Sequence, residues 1–198
     1  METGRRILVA CLGDSITAGS PLWDPDPAVR AGMPEPDPRS QYEHWAELAD
    51  SRLELRNCGT YGQRTDEIAA RLEGCAEGAE VLVVQGGIND IAQGRSVEDA
   101  AANLSAMVVR GRELGLEVAL ANVLPWNNGY PQADTPIRRL NHLIQDIDVH
   151  VLRFCEALED PGRPGRMRED WTDDGDHPSV EGYRRLGELA FSLPIGSR

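Results

Sequence analysis

A serine near one end of the chain and an acid–base pair near the other are the residues best suited to chemistry. Ser15 closely follows the apolar run 7–12, in the segment Gly-Asp-Ser. Asp174 and His177 lie three residues apart in the segment Asp-Gly-Asp-His-Pro. A serine hydroxyl at its ordinary pKa is a weak nucleophile, so it needs a base, and the base needs a group that fixes its tautomer. Ser15, His177 and Asp174 supply these roles if the fold brings residue 15 beside residue 177.

The elements that must position these residues follow from an alternation of apolar runs and helix-period segments. Most of the runs are continuously apolar, as expected of parallel strands covered on both faces. The predicted strands are 7–12, 53–58, 81–85, 118–123 and 149–154. The predicted helices are 41–51, 65–76, 97–114, 136–147 and 180–190, with Thr65 and Ser96 as N-caps. This alternation predicts an α/β three-layer sandwich, with residues 1–198 forming one domain.

Three loops with aromatic side chains are predicted at one edge of the sheet. Segment 20–40 contains six prolines, a density that excludes regular helix and central strand. Segment 125–131 follows the fourth strand, and segment 160–171 precedes the acid–base motif. Ligands of open parallel sheets bind beyond the carboxyl ends of the strands, so these loops should rim a pocket. The candidate substrate-binding residues are Trp23, Trp126, Tyr130, Trp171 and, next to the serine, Asp14.

Two further motifs follow predicted strands and could stabilise negative charge. One contains Asn89 in Gly-Gly-Ile-Asn-Asp, and the other contains Gly59 and Gly62 in Gly-Thr-Tyr-Gly. Acyl transfer needs hydrogen-bond donors aimed at the oxygen that becomes negative. The Gly62 N–H, the Asn89 side-chain amide and the Ser15 N–H would supply three such donors. Taken singly, each of these motifs is also typical of an ordinary turn.

In combination, the four segments resemble the SGNH hydrolase superfamily, also called the GDSL lipase/esterase family. They occur in the family's order and cover nearly the whole chain. The matching blocks are Gly13-Asp14-Ser15, Asn57-x-Gly59-x-x-Gly62-x-x-Thr65, Gly87-x-Asn89-Asp90 and Asp174-x-x-His177-Pro178. The glycine block has two residues between Gly62 and Thr65, where members often have one. Gly59 therefore stays open as the alternative donor.

The resemblance implies Ser15 as nucleophile, His177 as general base and then acid, and Asp174 as the group that orients the imidazole. It also implies an oxyanion hole made by Ser15 N–H, Gly62 N–H and the Asn89 amide. The implied fold is a flavodoxin-like sheet of five parallel strands in order 2-1-3-4-5, and no cofactor or metal is implied. The implied reaction is acylation of the serine, departure of an alcohol, and hydrolysis of the acyl-enzyme. Asp176 competes for the orienting role, but it adjoins the histidine, and adjacent side chains usually point apart.

The net charge and the apolar segments of the chain limit which classes of partner and which cellular compartment we expect. A net charge of −13 argues against nucleic acid and anionic membranes as partners, and it favours neutral or cationic small molecules. No apolar run approaches the ~20 residues of a membrane span, and residues 1–6 contain no signal-peptide core, so we expect a cytoplasmic protein without membrane insertion. The four cysteines show no metal-ligand spacing and are expected to be structural, most of them as free thiols in the core. Association into a homo-oligomer stays open.

The residues predict as substrate an ester with a short acyl group, acetyl to about butyryl. Its alcohol part could be a sugar or an aryl alcohol. The chain has only 2 Phe, 4 Trp and 4 Tyr, and it has no long apolar stretch to line a fatty-acyl tunnel. One alternative is a lysophospholipase or acyl-thioesterase, which would need such an apolar pocket. Another is a catalytically silent α/β binding module, which would have little reason to keep all five motif residues. Acyl transfer to an acceptor other than water is a further alternative.

Overall fold

A five-stranded parallel sheet forms the centre of the computed structural model, which describes residues 5–193. The strand order is β2-β1-β3-β4-β5, which is the order that the family resemblance implied. The strands are β1 (Ile7–Gly13), β2 (Leu53–Gly59), β3 (Val81–Val84), β4 (Glu117–Ala121) and β5 (His150–Leu152). Because all pairs are parallel, the carboxyl ends of β1, β2 and β3 lie side by side at one edge of the sheet. The motifs that follow these strands therefore meet there.

Helices connect the strands and flank the sheet. They are α1 (Ser15–Ala18), α2 (Pro27–Arg30), α3 (Tyr42–Ala49), α4 (Thr65–Ala69), α5 (Leu72–Ala76), α6 (Ile88–Ala92), α7 (Val97–Glu113), α8 (Asp134–Gln145), α9 (Phe154–Leu158) and α10 (Val180–Arg185). A 3₁₀ turn covers Glu169–Trp171, and a π-helical segment covers Leu186–Ala190. Within residues 5–193, none of the helices combines the length and the apolar character needed to cross a membrane.

Two apolar cores lie on opposite faces of the sheet. Along β1, Leu12 belongs to the core shared with α7 and α8, whereas Cys11 belongs to the core shared with α3 and α10. The two faces alternate residue by residue, as the period of a strand requires. Both faces are covered, which explains why the strands read as continuous apolar runs in the sequence. The buried strand ends are thereby fixed relative to one another.

The proline-rich segment contains one helix that was not expected. Proline density was predicted to exclude helix from residues 20–40, and this prediction was wrong for α2. The helix begins at Pro27, where proline needs no N–H donor, and the Asp26 carboxylate caps it by accepting from the Ala28 N–H at 2.8 Å. Proline is tolerated at this first position even though it would disrupt the interior of a helix.

Two of the predicted helices differ from the structure. The predicted helix 65–76 is divided into α4 and α5. Thr65 is the first residue of α4 rather than its N-cap, which is Arg64. The predicted helix 180–190 is α-helical only to Arg185 and π-helical beyond it. Ser96, by contrast, caps α7 as predicted, because its hydroxyl accepts from the Asp99 N–H at 3.1 Å.

The expectation of free cysteines was wrong for one pair. Cys58, at the end of β2, and Cys75, in α5, form a disulfide with Cα atoms 6.0 Å apart. The two residues are separated by 17 positions, a spacing that carries no sequence signature, and the crossover after β2 brings them together. Cys11 is a buried free thiol, and Cys155 is a half-buried one.

Candidate active site

The structure brings Ser15, His177 and Asp174 into one hydrogen-bonded chain. The Ser15 Oγ lies 3.1 Å from His177 Nε2, across a sequence separation of 162 residues. On the other side of the ring, His177 Nδ1 lies 2.8 Å from Asp174 Oδ2. An imidazole held between a carboxylate and a hydroxyl can accept the hydroxyl proton while the carboxylate stabilises the resulting charge. The geometry required for activating a serine is therefore present.

The acidic loop is folded so that Asp174, rather than Asp176, faces the imidazole. Asp174 Oδ1 accepts hydrogen bonds from the backbone N–H groups of Asp176 at 2.8 Å and of His177 at 2.7 Å. Burial opposes ionisation of Asp174, but hydrogen bonds from the His177 ring and from these N–H groups outweigh it, so the pKa of Asp174 lies below its ordinary value. The Asp176 carboxylate turns away and accepts from Trp126 Nε1 at 2.6 Å. The carboxylate that orients the base is thus ionised at neutral pH.

Asp14 holds the nucleophile at the start of α1. Its side chain is the N-cap of this helix and accepts from the Ile16 N–H at 2.9 Å. The side chain is fully buried, and among the described residues its Oδ2 has no hydrogen-bond partner. Burial raises the pKa of Asp14 to about 6, although the Ile16 N–H and the nearby His177 favour the charged form. Asp14 lies beneath the site rather than in the cleft, so a direct substrate contact does not fit its position.

The three donors predicted from the sequence each have an N–H hydrogen that is not engaged. Within residues 5–193, the backbone N–H groups of Ser15 and Gly62 donate to no acceptor. The Asn89 Nδ2 donates one hydrogen to the Gln63 carbonyl at 2.9 Å, which orients the amide and leaves its second hydrogen free. These are the donor types that an oxyanion hole needs.

The two candidate glycines differ in their surroundings. The Gly59 N–H is occupied, because it donates to Asn57 Oδ1 at 2.9 Å. A Cβ at Gly59 would lie 2.0 Å from the Ala18 backbone nitrogen, so this glycine is needed for packing β2 against α1. Gly62 adopts φ +76°, a conformation that favours glycine, and a Cβ there would meet nothing within 4 Å. Gly62 therefore keeps the free N–H, whereas Gly59 serves the fold.

Asp90 and Arg71 brace the strand ends, and the role of Arg71 was not anticipated from the sequence. The Asp90 carboxylate accepts from the Thr65 N–H at 2.9 Å and from its hydroxyl at 2.8 Å. The Arg71 guanidinium donates to the Cys58 carbonyl at 2.7 Å and to the Gly13 carbonyl at 3.0 Å. It thereby ties β2 to the residue that precedes the Asp14–Ser15 turn. An arginine in a helical stretch carries no sequence signal for this contact.

A cleft of about 170 Å³ opens above the serine. Apolar side chains form much of its wall, and of the polar side chains that line it, His177 contacts Ser15. The lining residues are Ser15, Ile16, Tyr61, Gln85, Ile88, Asn89, Ala92, Val123, Leu124, Pro125, Trp126, Asp176 and His177. This volume is below the ~300–1,000 Å³ of sites that hold drug-sized ligands. The cleft therefore fits a small substrate.

Only one of the four predicted aromatic contacts lines this cleft. Trp126 does, but Trp23, Tyr130 and Trp171 do not, and their rings pack against arginine side chains instead. The expectation that the proline-rich segment and segment 160–171 rim the pocket was wrong, since neither contributes a lining residue. Tyr61 lines the cleft and was missed. Its position between the two glycines of the second motif was the available signal.

Segment 125–131 is attached to the acid–base loop by a set of hydrogen bonds, here called the loop clasp. The Trp126 Nε1 and the Asn128 Nδ2 both donate to Asp176 Oδ1, at 2.6 and 2.7 Å. The Asn128 Nδ2 also donates to the Asp174 carbonyl at 2.9 Å, and the Asn127 N–H donates to the Gly175 carbonyl at 3.0 Å. One wall of the cleft is therefore joined to the loop that carries the base.

Taken together, the fold and the site define an α/β protein with a serine, histidine and aspartate in contact at the carboxyl edge of a parallel sheet. In residues 5–193, no His, Cys, Asp and Glu side chains form a group of three or more that could hold a metal ion. The chain belongs to the GDSL-like lipase/acylhydrolase family, whose model matches residues 11–185.

Solved structures with the same fold come from several bacteria. A G-D-S-L family protein from Desulfitobacterium hafniense is 21% identical, with a TM-score of 0.75 over 92% of this chain and 97% of that one. A lipolytic G-D-S-L family member from Veillonella parvula is 18% identical, with a TM-score of 0.72 over 91% and 94%. The SGNH-hydrolase family esterase AlinE4 is 21% identical, with a TM-score of 0.66 over 93% of each chain. No curated protein matches this chain significantly in sequence.

Proposed function

We propose that the protein is a serine esterase that hydrolyses short-chain carboxylic esters, acetyl to about butyryl. The observation that carries the proposal is the chain from Ser15 Oγ through His177 Nε2 and Nδ1 to Asp174 Oδ2, at 3.1 and 2.8 Å. Membership of a lipase/acylhydrolase family supports the same reaction class. A silent binding module has no need for an activated hydroxyl beside free N–H donors.

The mechanism that we derive has two halves. In acylation, His177 Nε2 takes the proton from Ser15 as its oxygen attacks the ester carbonyl, and the carbonyl oxygen becomes negative. The N–H groups of Ser15 and Gly62 and the Asn89 amide stabilise that charge. The imidazolium then gives its proton to the departing alcohol. In deacylation, the same nitrogen takes a proton from water as the water attacks the acyl carbon. The imidazolium then gives this proton to the Ser15 oxygen as the acyl bond breaks, which releases the acid and free Ser15.

The size of the cleft supports the short acyl group. A cleft of about 170 Å³ matches an acetyl or butyryl ester in size better than a fatty acyl chain. A series of p-nitrophenyl esters from acetyl to decanoyl tests this part of the proposal. We expect kcat/KM to be highest between acetyl and butyryl. A rate that rises steadily to decanoyl would instead indicate a lysophospholipase or thioesterase.

A serine-specific test checks the nucleophile itself. Ser15→Ala should abolish labelling by an organophosphonate and lower kcat by about 10⁴-fold or more. Ser51→Ala is the matched control, because Ser51 is an exposed serine in the turn before β2 and should keep both properties. Ester turnover at the wild-type rate by Ser15→Ala would overturn the assignment. Adding alcohols as acceptors, and measuring new ester formed, separates hydrolysis from acyl transfer.

The compartment and the partners expected from the sequence remain proposals. We propose a small-molecule ester as the partner, with no nucleic acid. The cytoplasmic location stays a prediction, and the Cys58–Cys75 disulfide weighs against it, because disulfides persist mainly in oxidising compartments. Counting reactive thiols in protein extracted under alkylating conditions distinguishes the two states, since the reduced chain carries four thiols and the oxidised chain two.

A further inference from the structure

Within residues 5–193, the cleft is lined by one carboxylate and by no arginine. Asp176 is the sole acidic side chain among the described lining residues. The cationic Arg64, near the Gly62 side of the site, is paired with Asp66 at 3.1 Å and Glu67 at 3.3 Å. The whole chain carries a net charge of −13, which adds a diffuse field of the same sign. A substrate therefore enters a cleft that attracts positive charge.

The proposed reaction places the leaving alcohol at the end of the cleft where this charge lies. His177 Nε2 must give its proton to the leaving oxygen, so the alcohol lies beside the imidazole. The oxyanion donors fix the carbonyl oxygen on another side of Ser15. Asp176 and His177 line the same cleft although their side chains point apart, and the Tyr61 ring centre lies 6.1 Å from the imidazole centre. A carboxylate and an exposed aromatic ring thus both line the cleft that receives the alcohol.

One carboxylate oxygen of Asp176 accepts hydrogen bonds from the protein, and the other is available to a substrate. Oδ1 accepts from Trp126 Nε1 and Asn128 Nδ2 and is held in place by them. Within residues 5–193, Oδ2 accepts no hydrogen bond. During acylation the imidazolium of His177 is balanced by Asp174, so the charge of Asp176 remains uncompensated. Tyr61 is 68% exposed, and the face of such a ring attracts cations at distances up to about 6 Å.

We propose that this site selects esters whose leaving alcohol carries a positive charge a few ångströms from the ester oxygen, such as a substituted ammonium alcohol. The selection comes from Asp176, with the Tyr61 ring as a second attractive surface. This inference rests on the proposed esterase function and adds the charge class of the alcohol.

The test compares two acetate esters of nearly the same shape. Acetylcholine carries a quaternary ammonium group, and 3,3-dimethylbutyl acetate carries an uncharged tert-butyl group in its place. Each kcat/KM is divided by the rate constant for alkaline hydrolysis of the same ester, which removes the difference in intrinsic reactivity. We expect the corrected ratio to favour the cation about fivefold at low ionic strength and to approach one in 1 M salt.

Two charge-matched variants locate the effect. Asp176→Asn keeps an oxygen that can accept from Trp126 but loses the charge, so the corrected ratio should fall to about one. Asp173→Asn removes the same charge from an exposed residue that does not line the cleft, and it should keep the wild-type ratio. The ratio refers each variant to its own neutral ester, so a general loss of activity does not obscure it.

The possible results are distinguishable. A wild-type ratio of one or less would overturn the charge preference while leaving the esterase function intact, because the neutral ester would still be hydrolysed. A ratio above one that survives Asp176→Asn would overturn the assignment to Asp176. If the protein hydrolyses neither acetate ester and none of the short p-nitrophenyl esters, the proposed function and this inference are both overturned.

Discussion

The two sides of the candidate site are held in place by different forces. On the nucleophile side, Ser15 is 5% exposed and Asp14 is fully buried, at the end of a central strand. On the base side, the His177 and Asp174 side chains are 12% and 36% exposed, and they lie in a loop. Apolar packing and strand pairing fix the first side. Hydrogen bonds within the loop and across the loop clasp fix the second.

Because of this difference, we expect substitutions on one side to change mainly the free energy of unfolding and substitutions on the other side to change mainly kcat. A change of shape on the nucleophile side disturbs strand ends that belong to the core, so it should lower the free energy of unfolding, whereas removing the buried charge of Asp14 should raise it at neutral pH. A change on the base side disturbs a partly exposed loop, so it should lower kcat while the fold survives.

Removing the charge of Asp174 should have the largest effect on the rate. Asp174→Asn should lower kcat by roughly 10⁴-fold, because an amide N–H facing Nδ1 favours the wrong tautomer of His177. The fold should stay intact, since the side chain is 36% exposed. Steady-state kinetics with a short p-nitrophenyl ester measures the effect. Asp173→Asn is the control one residue away and should retain the wild-type rate; a loss of less than tenfold for Asp174→Asn would contradict the assigned role.

A methyl group at Gly59 should produce the largest loss of stability. Its Cβ would lie 2.0 Å from the Ala18 nitrogen and 2.4 Å from the Ala18 Cα, and backbone atoms cannot move aside without shifting α1. Gly59→Ala should lower the free energy of unfolding by about 3 kcal/mol or more.

Gly62→Ala is the matched comparison, measured by the same urea unfolding experiment. Its Cβ meets no atom within 4 Å, so only the left-handed backbone conformation opposes it, at about 1–2 kcal/mol. Equal losses of stability for the two variants would contradict the distinction between a packing glycine and a donor glycine.

The sequence identified the sheet and the reacting groups because both depend on local patterns. Continuous apolar runs marked the buried parallel strands, and their order followed from the family resemblance. The reacting groups each lie in a short motif whose residue types fit a role in acyl transfer, and they are Ser15, Asn89, Asp174 and His177. The structure brings three of them into contact across 162 positions, which no single motif could show.

What the sequence missed depends on side-chain contacts between distant segments. Trp23 and Trp171 looked like pocket aromatics, yet arginine side chains cover their rings. The spacing of 17 positions between Cys58 and Cys75 does not predict a disulfide. The one sequence signal for Tyr61 is its position between the two glycines of its motif, and that position equally fits an ordinary turn residue. The loop clasp joins residues about 50 positions apart through polar side chains that are individually typical of turns.

The buried carboxyl of Asp14 should make the stability depend on pH. Its pKa is raised from 3.8 to about 6 in the folded protein, so the folded state retains a proton that the unfolded chain releases. The contribution of Asp14 to the free energy of unfolding is therefore fully present below about pH 4. It falls as the pH rises from about 4 to 6 and is constant above that. The difference corresponds to about 3 kcal/mol.

Asp14→Asn removes this titration while keeping a residue that caps helices well. The variant should match the wild type near pH 4 and exceed its free energy of unfolding by up to about 3 kcal/mol at pH 8. Urea unfolding of both proteins at the two pH values measures the difference, in which all other titrating groups cancel. A stability difference that does not change with pH would show that Asp14 keeps its ordinary pKa. The burial that fixes the nucleophile would then carry no electrostatic penalty.

The loop clasp should show the smallest and most selective effect. Asn128→Ala removes the hydrogen bonds to Asp176 Oδ1 and to the Asp174 carbonyl, so the acid–base loop gains freedom and kcat should fall about tenfold. Asn127→Ala also removes two side-chain hydrogen bonds, but both join Met167 in a segment that does not line the cleft. It should lower the free energy of unfolding by about 1–2 kcal/mol and leave kcat within about twofold. Kinetics on the neutral acetate ester together with urea unfolding separates the two asparagines. Equal losses of kcat would show that segment 125–131 acts as a unit, and that the base side depends on the shape of this whole segment rather than on the clasp.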